Sequence, residues 1–321
     1  FEKNGKYSLL ISFQGQDALK PKILLNGHFD VVPAEDDSQY NLQEENGRVF
    51  GRGTTDMKGM VAVFIQAMLE LGQQTNPPDV ALLLNGDEEI GGEDGAGYMV
   101  KEVGLRPDFV LCGDGGGEDI YQLTTKEKGG LWVELRAKGK AAHGAYPWLG
   151  ENAIEKVIEA VTKIKDWLGP MEPEAWKTTV NFGIIETSNV TPNKVPGDAR
   201  VVLDIRFTEA TAITPGELLE KIRTLVPEVD VKQLSDVPLL FVKEDDPFLQ
   251  RFKKVSEEII GKDMPFAFEH GATDARYFGE IGIPSVIFGA IGGNMHADKE
   301  YAELESLETQ KKILMQFFQS E

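Results

Sequence analysis

The sequence predicts an α/β fold with a mixed, mainly parallel sheet that carries helices on both faces, together with an inserted ferredoxin-like α+β domain. Three observations support this prediction. Short apolar runs of strand length end in polar residues, helical patterns separate these runs, and the middle of the chain changes to strands with alternating polarity. With 321 residues, the chain is long enough for two domains that each bury a core.

Four apolar runs have the composition of strands that are buried on both faces. They are KILLNGHFD, VALLLNGDEE, FVLCGD and SVIFGA. Between the first two, apolar residues follow helical spacing from Met60 to Leu71. We expect Thr54, Thr55 or Asp56 to cap this helix and Gly72 to end it. The alternation of strands and helices implies parallel strands with helices on both faces of the sheet.

The middle of the chain has the element order β-α-β-β-α-β, which is the ferredoxin-like arrangement. The predicted strands are LWVELRAKG, TTVNFGIIETS, ARVVLDIRF and EVDVKQLS, and the predicted helices are NAIEKVIEAVTKIKDWLG and PGELLEKIRTLV. We therefore predict a main domain of residues 1–123 and 237–321, interrupted by an inserted domain of residues 124–236. Two later helices, FLQRFKKVSEEIIG and LESLETQKKILMQFFQ, belong to the main domain.

The composition excludes some partners and locations. With 33 Lys+Arg against 53 Asp+Glu, the net charge is −20, which argues against nucleic acid or an anionic membrane as a partner. Cys112 is the only cysteine, so no intrachain disulfide can form, which suits a reducing cytosol. No apolar stretch is long enough to span a membrane, and we expect a cytoplasmic protein. Because the chain begins with Phe1, the native start is expected to be missing, and an upstream targeting segment stays open.

Residues of the metal-ligand type stand at the ends of predicted strands and at one helix start. The five candidate ligands are His28, Asp56, Glu89, Asp114 and His296, and Glu88 is a spare acid beside Glu89. Ligands of open α/β sheets bind at the carboxyl ends of the strands, so these side chains are expected at one edge. Two imidazoles and three carboxylates suit Zn²⁺, although Co²⁺ or Mn²⁺ could use the same ligands. A pair of such ions can activate a water molecule and polarise a carbonyl group.

Two local patterns add detail to this hypothesis. Asp30 lies two residues after His28, on the same side of a strand, where it can orient the imidazole. The triplet Asp87, Glu88 and Glu89 crowds like charges, which is unfavourable unless a cation relieves it. In an extended stretch, Glu89 could bind metal while Glu88 faces the substrate as a proton shuttle. The alternatives are a helix cap at Asp56, a solvated acidic turn, and an exposed histidine at a strand end.

Other polar residues are candidates for contact with a substrate. His143 in AAHGAYP could donate a hydrogen bond to an oxyanion, with a structural histidine as the alternative. Arg206 and Arg276 are candidate carboxylate clamps, because guanidinium binds carboxylate in a bidentate manner, and surface ion pairs are the alternative. Thr273, in the same segment as Arg276, is a further candidate substrate contact.

His270 and Asn193 carry weaker signals. For His270 in FEHGATDAR, we expect a structural or cleft-lining role rather than metal binding. Asn193 in TPNKVPG is an ordinary turn residue when it is judged by its local sequence.

Read together, GHFDVVP, GRGTTDMKG, the DEE triplet and NMHADKEY resemble the two-zinc amidohydrolase and peptidase family. This family includes acetylornithine deacetylase, succinyl-diaminopimelate desuccinylase, aminoacylase and carboxypeptidase G, and the resemblance covers almost the whole chain. It implies the following roles: one zinc held by His28 and Asp114, the other by Glu89 and His296, Asp56 as the bridge, Glu88 as the general base and Asp30 behind the ligands. Many members carry Glu where Asp114 stands, and Glu118 is a rival ligand.

The resemblance also implies a role for the inserted domain, which would dimerise or act as a lid. His143 and Asn193 would then reach the active site of the partner subunit, while Arg206 would bind the carboxylate of the substrate within its own subunit. The expected reaction is metal-dependent hydrolysis of an amide bond in an N-acyl amino acid or small peptide with a free carboxylate. The alternatives are a di- or tripeptide aminopeptidase and a noncatalytic metal-binding homologue.

Overall fold

A computed structural model describes residues 1–117 and 121–319, so the rival ligand Glu118 lies outside the described residues. The chain divides into two compact units. Unit 1 contains Phe1–Lys126, Leu240–Glu269 and Thr273–Glu321, and unit 2 contains Glu127–Leu239 and His270–Ala272. Within the described part of the chain, every helix is too short or too polar to cross a membrane.

The first part of unit 1 supplies the strands that carry most of the candidate ligands. Its elements are β1 (Glu2–Lys3), β2 (Lys6–Ser12), β3 (Ile23–His28), β4 (Gln43–Glu45), β5 (Arg48–Phe50), α1 (Gly59–Leu71), β6 (Val80–Asn85), β7 (Phe109–Cys112) and β8 (Leu123–Glu127). The apolar runs at β3, β6 and β7 are buried along their whole length. This burial agrees with the strand composition read from the sequence.

Unit 2 is an antiparallel sheet with two helices. Its elements are β9 (Gly129–Lys138), α2 (Ala153–Leu168), β10 (Thr179–Glu186), β11 (Asp198–Phe207), α3 (Pro215–Leu225) and β12 (Asp230–Val237). The strand order is β10-β11-β9-β12, with every pairing antiparallel, as the ferredoxin-like order of elements requires. Asn152 and Thr214 cap the two helices, because their side chains accept hydrogen bonds from the first turns.

The rest of unit 1 contributes further strands to the main sheet, together with three helices. These elements are β13 (Leu240–Phe241), α4 (Pro247–Ile260), β14 (Phe266–Glu269), α5 (Ala275–Glu280), β15 (Ser285–Ile287), β16 (Gly292–Gly293), β17 (Tyr301–Glu303) and α6 (Leu304–Gln319). A small antiparallel sheet, in the order β16-β17-β5-β4, lies apart from the main one. In this small sheet, β17 pairs on one side with β16, which precedes His296, and on the other with β5, which precedes Asp56.

The main sheet has the order β1-β2-β6-β3-β7-β15-β8-β13, and β14 pairs with β8. The four central strands, β6, β3, β7 and β15, are parallel, whereas β2 and β8 pair antiparallel with them. Leu25 belongs to a core cluster with residues of α1, α4 and α6. Its neighbour Leu24 belongs to another cluster with Met99 and Phe278. Adjacent strand residues point to opposite faces, so the predicted mixed sheet with helices on both faces is confirmed.

The start of α1 differs from the prediction. The helix begins at Gly59, and Lys58 before it makes no side-chain capping bond. Thr54, Thr55 and Asp56 therefore do not cap α1, and Asp56 has extended backbone angles of φ −123° and ψ 94°. The peptide bond between Asp56 and Met57 is cis. An irregular turn, rather than a cap, presents the Asp56 carboxylate.

Candidate metal centre

Three neighbouring parallel strands place ligand-type residues at one edge of the main sheet. His28 is the last residue of β3, which lies between β6 and β7. The turn Glu88–Ile90 follows β6, and Asp114 follows β7. The carboxyl ends of parallel strands meet at the same edge, so these side chains converge as the sequence predicts.

The Asp56 carboxylate connects the two histidines of the cluster. Its Oδ1 lies 3.0 Å from Nε2 of His28, and its Oδ2 lies 2.8 Å from Nε2 of His296. The Asp56 side chain is buried, with 7% of its surface exposed. The two oxygens of this one carboxylate therefore face two different imidazoles.

Each histidine has a second carboxylate beside it. Nε2 of His28 lies 3.6 Å from Oδ1 of Asp114, and Nε2 of His296 lies 3.3 Å from Oε2 of Glu89. Ligand atoms of His28, Asp56 and Glu89 all lie within 4.8 Å of one another. Each imidazole therefore has an oxygen of Asp56 and an oxygen of one further acid beside it.

The electrostatics of the cluster fit bound divalent cations. Burial, and then the charge of Asp56, raises the pKa of Glu89, and burial raises the pKa of Asp114. Burial of His28 opposes its protonation, yet the carboxylates of Asp114, Asp30 and Asp56 raise its pKa well above the ordinary value. The carboxylates of the cluster carry more negative charge than its histidines can neutralise. Divalent cations would supply that charge, and imidazole nitrogen with carboxylate oxygen suits Zn²⁺, Co²⁺ or Mn²⁺.

Glu88 differs from the expected picture of an extended segment. Residues Glu88–Ile90 form one helical turn, so Glu88 and Glu89 do not point in opposite directions along a strand. Instead, a Glu88 oxygen lies within 4.8 Å of ligand atoms of His28 and Asp114. Burial, followed by the charges of Asp114 and Asp274, raises the pKa of Glu88 to about 10. The side chain is 11% exposed and can hold a proton beside the cluster.

Asp30 contacts both a histidine and the acidic turn. The backbone oxygen of Asp30 lies 3.1 Å from Nδ1 of His28, nearer than its carboxylate Oδ1 at 3.4 Å. Its Oδ2 accepts a hydrogen bond of 3.1 Å from the backbone N–H of Glu89. Asp30 therefore orients the His28 ring, largely through its main chain, and also holds the turn that carries Glu89.

Sequence reasoning missed Glu300, which organises the Asp56 turn. The Glu300 carboxylate is buried and accepts hydrogen bonds from the backbone N–H groups of Gly53 (2.9 Å), Thr55 (3.0 Å) and Asp56 (3.1 Å). It also pairs with Arg52 at 2.7 Å. The available signal was a Glu four residues after His296 and an Arg within GRGTTDMKG, but their pairing across 248 positions is invisible in the sequence.

Arg276 and Thr273 lie beside the acidic turn. Arg276 is 5% exposed, and its guanidinium donates to the backbone oxygens of Thr273 and Gly91, both at 2.6 Å. Its Nη1 lies 4.0 Å from Oε1 of Glu88. The Thr273 hydroxyl accepts a hydrogen bond from the N–H of Ala275 at 3.2 Å. These contacts make Arg276 a support for the Glu88 turn, and the substrate roles of both residues stay predictions.

Unit 2 brings His143 and Asn193 together. The N–H of Gly144 donates to the backbone oxygen of Asn193 at 2.7 Å, and His143 forms a β-bridge with Lys194. The N–H of Ala145 donates to Nδ1 of His143 at 3.0 Å, so the neutral ring carries its proton on Nε2. Arg206 lies near the end of β11, and its Nε is 2.9 Å from Oδ1 of Asp204.

Comparison with known proteins gives the family of this chain. The model of peptidase family M20/M25/M40 matches residues 24–320. Succinyl-diaminopimelate desuccinylase of Bordetella petrii is 29% identical over 314 residues, covering 91% of this chain and 81% of that protein. A probable carboxypeptidase of Paracoccidioides lutzii is 33% identical over 226 residues, covering 65% of this chain and 50% of that protein.

Solved structures show the same fold at lower identity. The aminopeptidase PepT from Bacillus cereus has a TM-score of 0.74 and 20% identity, covering 99% of this chain and 87% of that one. An M20 family metallo-carboxypeptidase from Sulfolobus solfataricus has a TM-score of 0.64 and 20% identity, covering 99% and 88%. At such identities the likeness establishes the fold alone.

Proposed function

The chain belongs to peptidase family M20/M25/M40, and from this premise we propose that it uses two Zn²⁺ ions held by the cluster around Asp56. Membership makes it a metal-dependent hydrolase of amide bonds. The proposed substrate is an N-acyl amino acid or a small peptide with a free carboxylate, in line with the desuccinylase and carboxypeptidase relatives. The observation that carries the proposal is the single carboxylate of Asp56 lying within 3.0 Å of both imidazoles.

Each ion would have its own ligands in addition to Asp56. His28 and Asp114 would hold one ion, and His296 and Glu89 would hold the other, because each pair lies together beside one oxygen of Asp56. When bound, such ions act as Lewis acids that polarise a carbonyl and favour the deprotonation of water. Co²⁺ or Mn²⁺ would suit the same ligands.

We propose that Glu88 moves the proton in the reaction. Its carboxylate takes a proton from the attacking water as the new C–O bond forms, and gives it to the amide nitrogen as the C–N bond breaks. Glu88 must be ionised to accept this proton, and cations held beside Asp114 would offset the like charge that, after burial, raises its pKa. Arg276, 4.0 Å away, restrains the carboxyl group without a close ion pair.

The test of this role is the variant Glu88→Gln, which keeps the shape of the side chain but cannot accept the proton. We expect the metal content to stay at two ions per chain and turnover to fall by roughly 10²–10⁴-fold, the usual contribution of general acid–base catalysis. Glu93→Gln, at an exposed acid in the following segment, is the matched control and should behave as the wild type. Near-wild-type turnover in Glu88→Gln would remove the base assignment.

A panel of substrates tests the proposed reaction. Metal-loaded protein should hydrolyse acetyl-, succinyl- or peptidyl-amino acids that carry a free carboxylate. An absolute requirement for a free α-amine would instead indicate a di- or tripeptide aminopeptidase. Bound metal with no turnover on any member of the panel would indicate a noncatalytic homologue.

We propose that unit 2 forms a homodimer and that His143 and Asn193 act at the active site of the partner subunit. Exposed apolar side chains stand near His143, with Tyr146 52% and Trp148 73% exposed, and a partner would cover them. The Nε2–H of His143 is free to donate to an oxyanion, given that Nδ1 already accepts from Ala145. Arg206 would bind the substrate carboxylate within its own subunit, and a cytoplasmic location would suit a sequence with one cysteine.

Mixing two inactive variants tests the arrangement between subunits. Glu88→Gln and His143→Ala should each be inactive alone, while a mixture that exchanges subunits should regain activity at the sites in which both residues are native. Sedimentation should show a dimer. A fully active monomer, or a mixture with no recovered activity despite proven exchange, would contradict the proposal and leave a lid within one chain as the alternative.

A further inference from the structure

One end of the unit 2 sheet holds a cavity of about 330 Å³. Lys128, just before β9, Thr179 at the start of β10 and Arg206 near the end of β11 line it, together with residues 171–175 and His270. All of these residues belong to unit 2. The volume is within the range of small-molecule sites, which start at roughly 300 Å³.

Lys128 is the unusual residue of this cavity. It is 3% exposed, and no ion pair or hydrogen bond joins its ammonium group to another side chain in the described part of the chain. Its Nζ lies 6.0 Å from the ring centroid of Trp176. Burial lowers the pKa of Lys128. A buried ammonium group without a carboxylate is unfavourable, and such a group in a cavity is a candidate for a functional role.

Arg206 is placed and oriented by its neighbours. It pairs with Thr179 across the antiparallel strands and with Gly130 on the other side. A Cβ at Gly130 would lie 3.3 Å from Nη1 of Arg206, so the glycine leaves room for the guanidinium. Oδ1 of Asp204 lies 2.9 Å from Nε of Arg206, and its Oδ2 accepts a hydrogen bond of 3.3 Å from Nη2. Asp204 therefore balances the charge of Arg206 but does not contact Nη1, which lies on the side of Gly130.

The acidic residues of the cavity wall do not balance Lys128. Glu172 is paired with Lys177, and Oε2 of Glu174 lies 3.9 Å from Nε2 of His270. Asp204 is engaged by Arg206. Lys128 therefore forms no ion pair with either acid that lines the cavity, and a ligand with an oxyanion would provide one.

We propose that this cavity binds the carboxylate of a small ligand, with Lys128 as the main charge partner and Arg206 as a second donor. The identity of the ligand rests on the proposed function, in which the substrate or product carries a free carboxylate. The contact that Lys128 makes is additional to the Arg206 contact, and makes Lys128 a specificity-determining residue for anionic ligands.

The test is a calorimetric titration of the full-length, metal-free protein with glutarate, and separately with inorganic phosphate, which shares the oxyanion chemistry. We expect glutarate to bind more tightly than phosphate. Lys128→Met should weaken glutarate binding roughly 10-fold to 100-fold, the usual loss for a hydrogen bond to a charged group. Lys163→Met, at a lysine of α2 that is paired with Glu228 outside the cavity lining, is the control and should bind glutarate as the wild type.

Thermal unfolding separates a binding role from a structural one. A buried lysine that is kept for a ligand adds no stability, so Lys128→Met should unfold at the wild-type temperature or above it in the absence of ligand. A Tm several degrees lower would make Lys128 structural and overturn the proposal. Unchanged glutarate binding in Lys128→Met, no binding by the wild type, or a preference for phosphate would also overturn it.

This result is independent of catalysis because the titration uses metal-free protein. A failure of the amide-hydrolase proposal would appear as an absence of turnover with glutarate binding intact. A failure of the cavity proposal would appear as no glutarate binding by the wild type, or as unchanged glutarate binding in Lys128→Met, with turnover intact. In active protein, Lys128→Met should raise the KM for substrates with a free carboxylate more than it lowers kcat.

Discussion

The candidate metal centre of unit 1 and the cavity of unit 2 both bury charged groups that lack a sufficient ion-pair partner, and these groups have opposite signs. The centre crowds the carboxylates of Asp56, Glu89 and Asp114 around two histidines. The cavity buries Lys128, whose ammonium group forms no ion pair with the two glutamates of the lining. In each case the buried charge that the protein leaves uncompensated indicates the charge of the ligand: cations in unit 1 and an anion in unit 2.

The same molecule shows what a compensated buried charge looks like. Glu300 in unit 1 pairs with Arg52 and three backbone N–H groups, and Glu134 in unit 2 pairs with Arg136 and Arg200. These acids are as buried as the candidate ligands, yet they are satisfied within the chain. Burial of an acid is therefore not enough to indicate a ligand, and the missing partner is the informative observation.

The largest expected effect comes from breaking the shared ligand of the metal centre. Asp56→Asn keeps the size of the side chain but removes the charge that both ions would share. We expect loss of bound metal and a fall in kcat/KM of roughly a thousand-fold, which corresponds to several kcal/mol of Lewis-acid stabilisation. Metal analysis and turnover measure it, with Asp36→Asn, at an exposed turn cap, as the unaffected control. Two ions retained at full turnover would contradict the bridge.

Removal of metal should destabilise the folded protein. Cations that bind the folded centre alone add about 4 kcal/mol to the free energy of unfolding when they are present at 1,000 times their Kd. Urea unfolding with Zn²⁺ and with a chelator measures this difference. If both conditions give the same free energy, the crowded carboxylates of unit 1 do not need a cation, and the comparison with Lys128 fails.

A compensated acid should behave differently. Glu300→Gln removes the charge that faces the buried Arg52, whose side chain is 3% exposed, and should cost about 3 kcal/mol. It should also weaken metal binding, since Glu300 holds the backbone of Asp56. The matched control is Glu303→Gln, which breaks a partly exposed pair with Arg48 and should cost less than about 1 kcal/mol. Equal effects of the two variants would refute the positioning role of Glu300.

The smallest expected effect concerns pH and unit 2. The hydrogen bond from Arg136, followed by that from Arg200, lowers the pKa of Glu134 from 4.5 to about 2. A lowered pKa means that the folded state favours the ionised acid, so the stabilisation is present at neutral pH and is lost as the pH falls from 4.5 toward 2. Glu134→Gln should cost roughly 1 kcal/mol or less at pH 7, because its arginine partners are partly exposed. In urea unfolding experiments, the difference in the free energy of unfolding between the wild type and Glu134→Gln should shrink on acidification. A difference that grows would contradict the lowered pKa of Glu134.

Much of the fold, and the convergence of the ligand-type residues, could be predicted from local sequence. The buried runs at β3, β6 and β7 are strands, and residues Met60, Val63 and Phe64 lie on the buried side of α1. The ligand-type residues follow strands whose parallel order places them at one edge. These features depend on polarity and spacing over fewer than twenty residues, which is why composition and periodicity reveal them.

The errors and omissions have a common cause. Asp56 has the sequence context of a helix cap, but its backbone is extended and its carboxylate is held between two histidines. Glu88 and Glu89 have the context of a strand end but form a helical turn. Glu300 and Lys128 have no local signal, since their roles depend on partners, or on the lack of partners, far along the chain.

The sequence by itself determined the α/β class, the ferredoxin-like order of elements and the set of residues able to bind divalent cations, because side-chain chemistry and periodicity are local properties. Only the tertiary structure decided how the carboxylate of Asp56 is divided between two histidines, why Glu300 has no need of a ligand, and why Lys128 does. The physical reason is that a buried charge is stabilised by interactions with all the groups around it. Folding brings these groups together from distant parts of the chain, so the interactions do not exist in the extended chain.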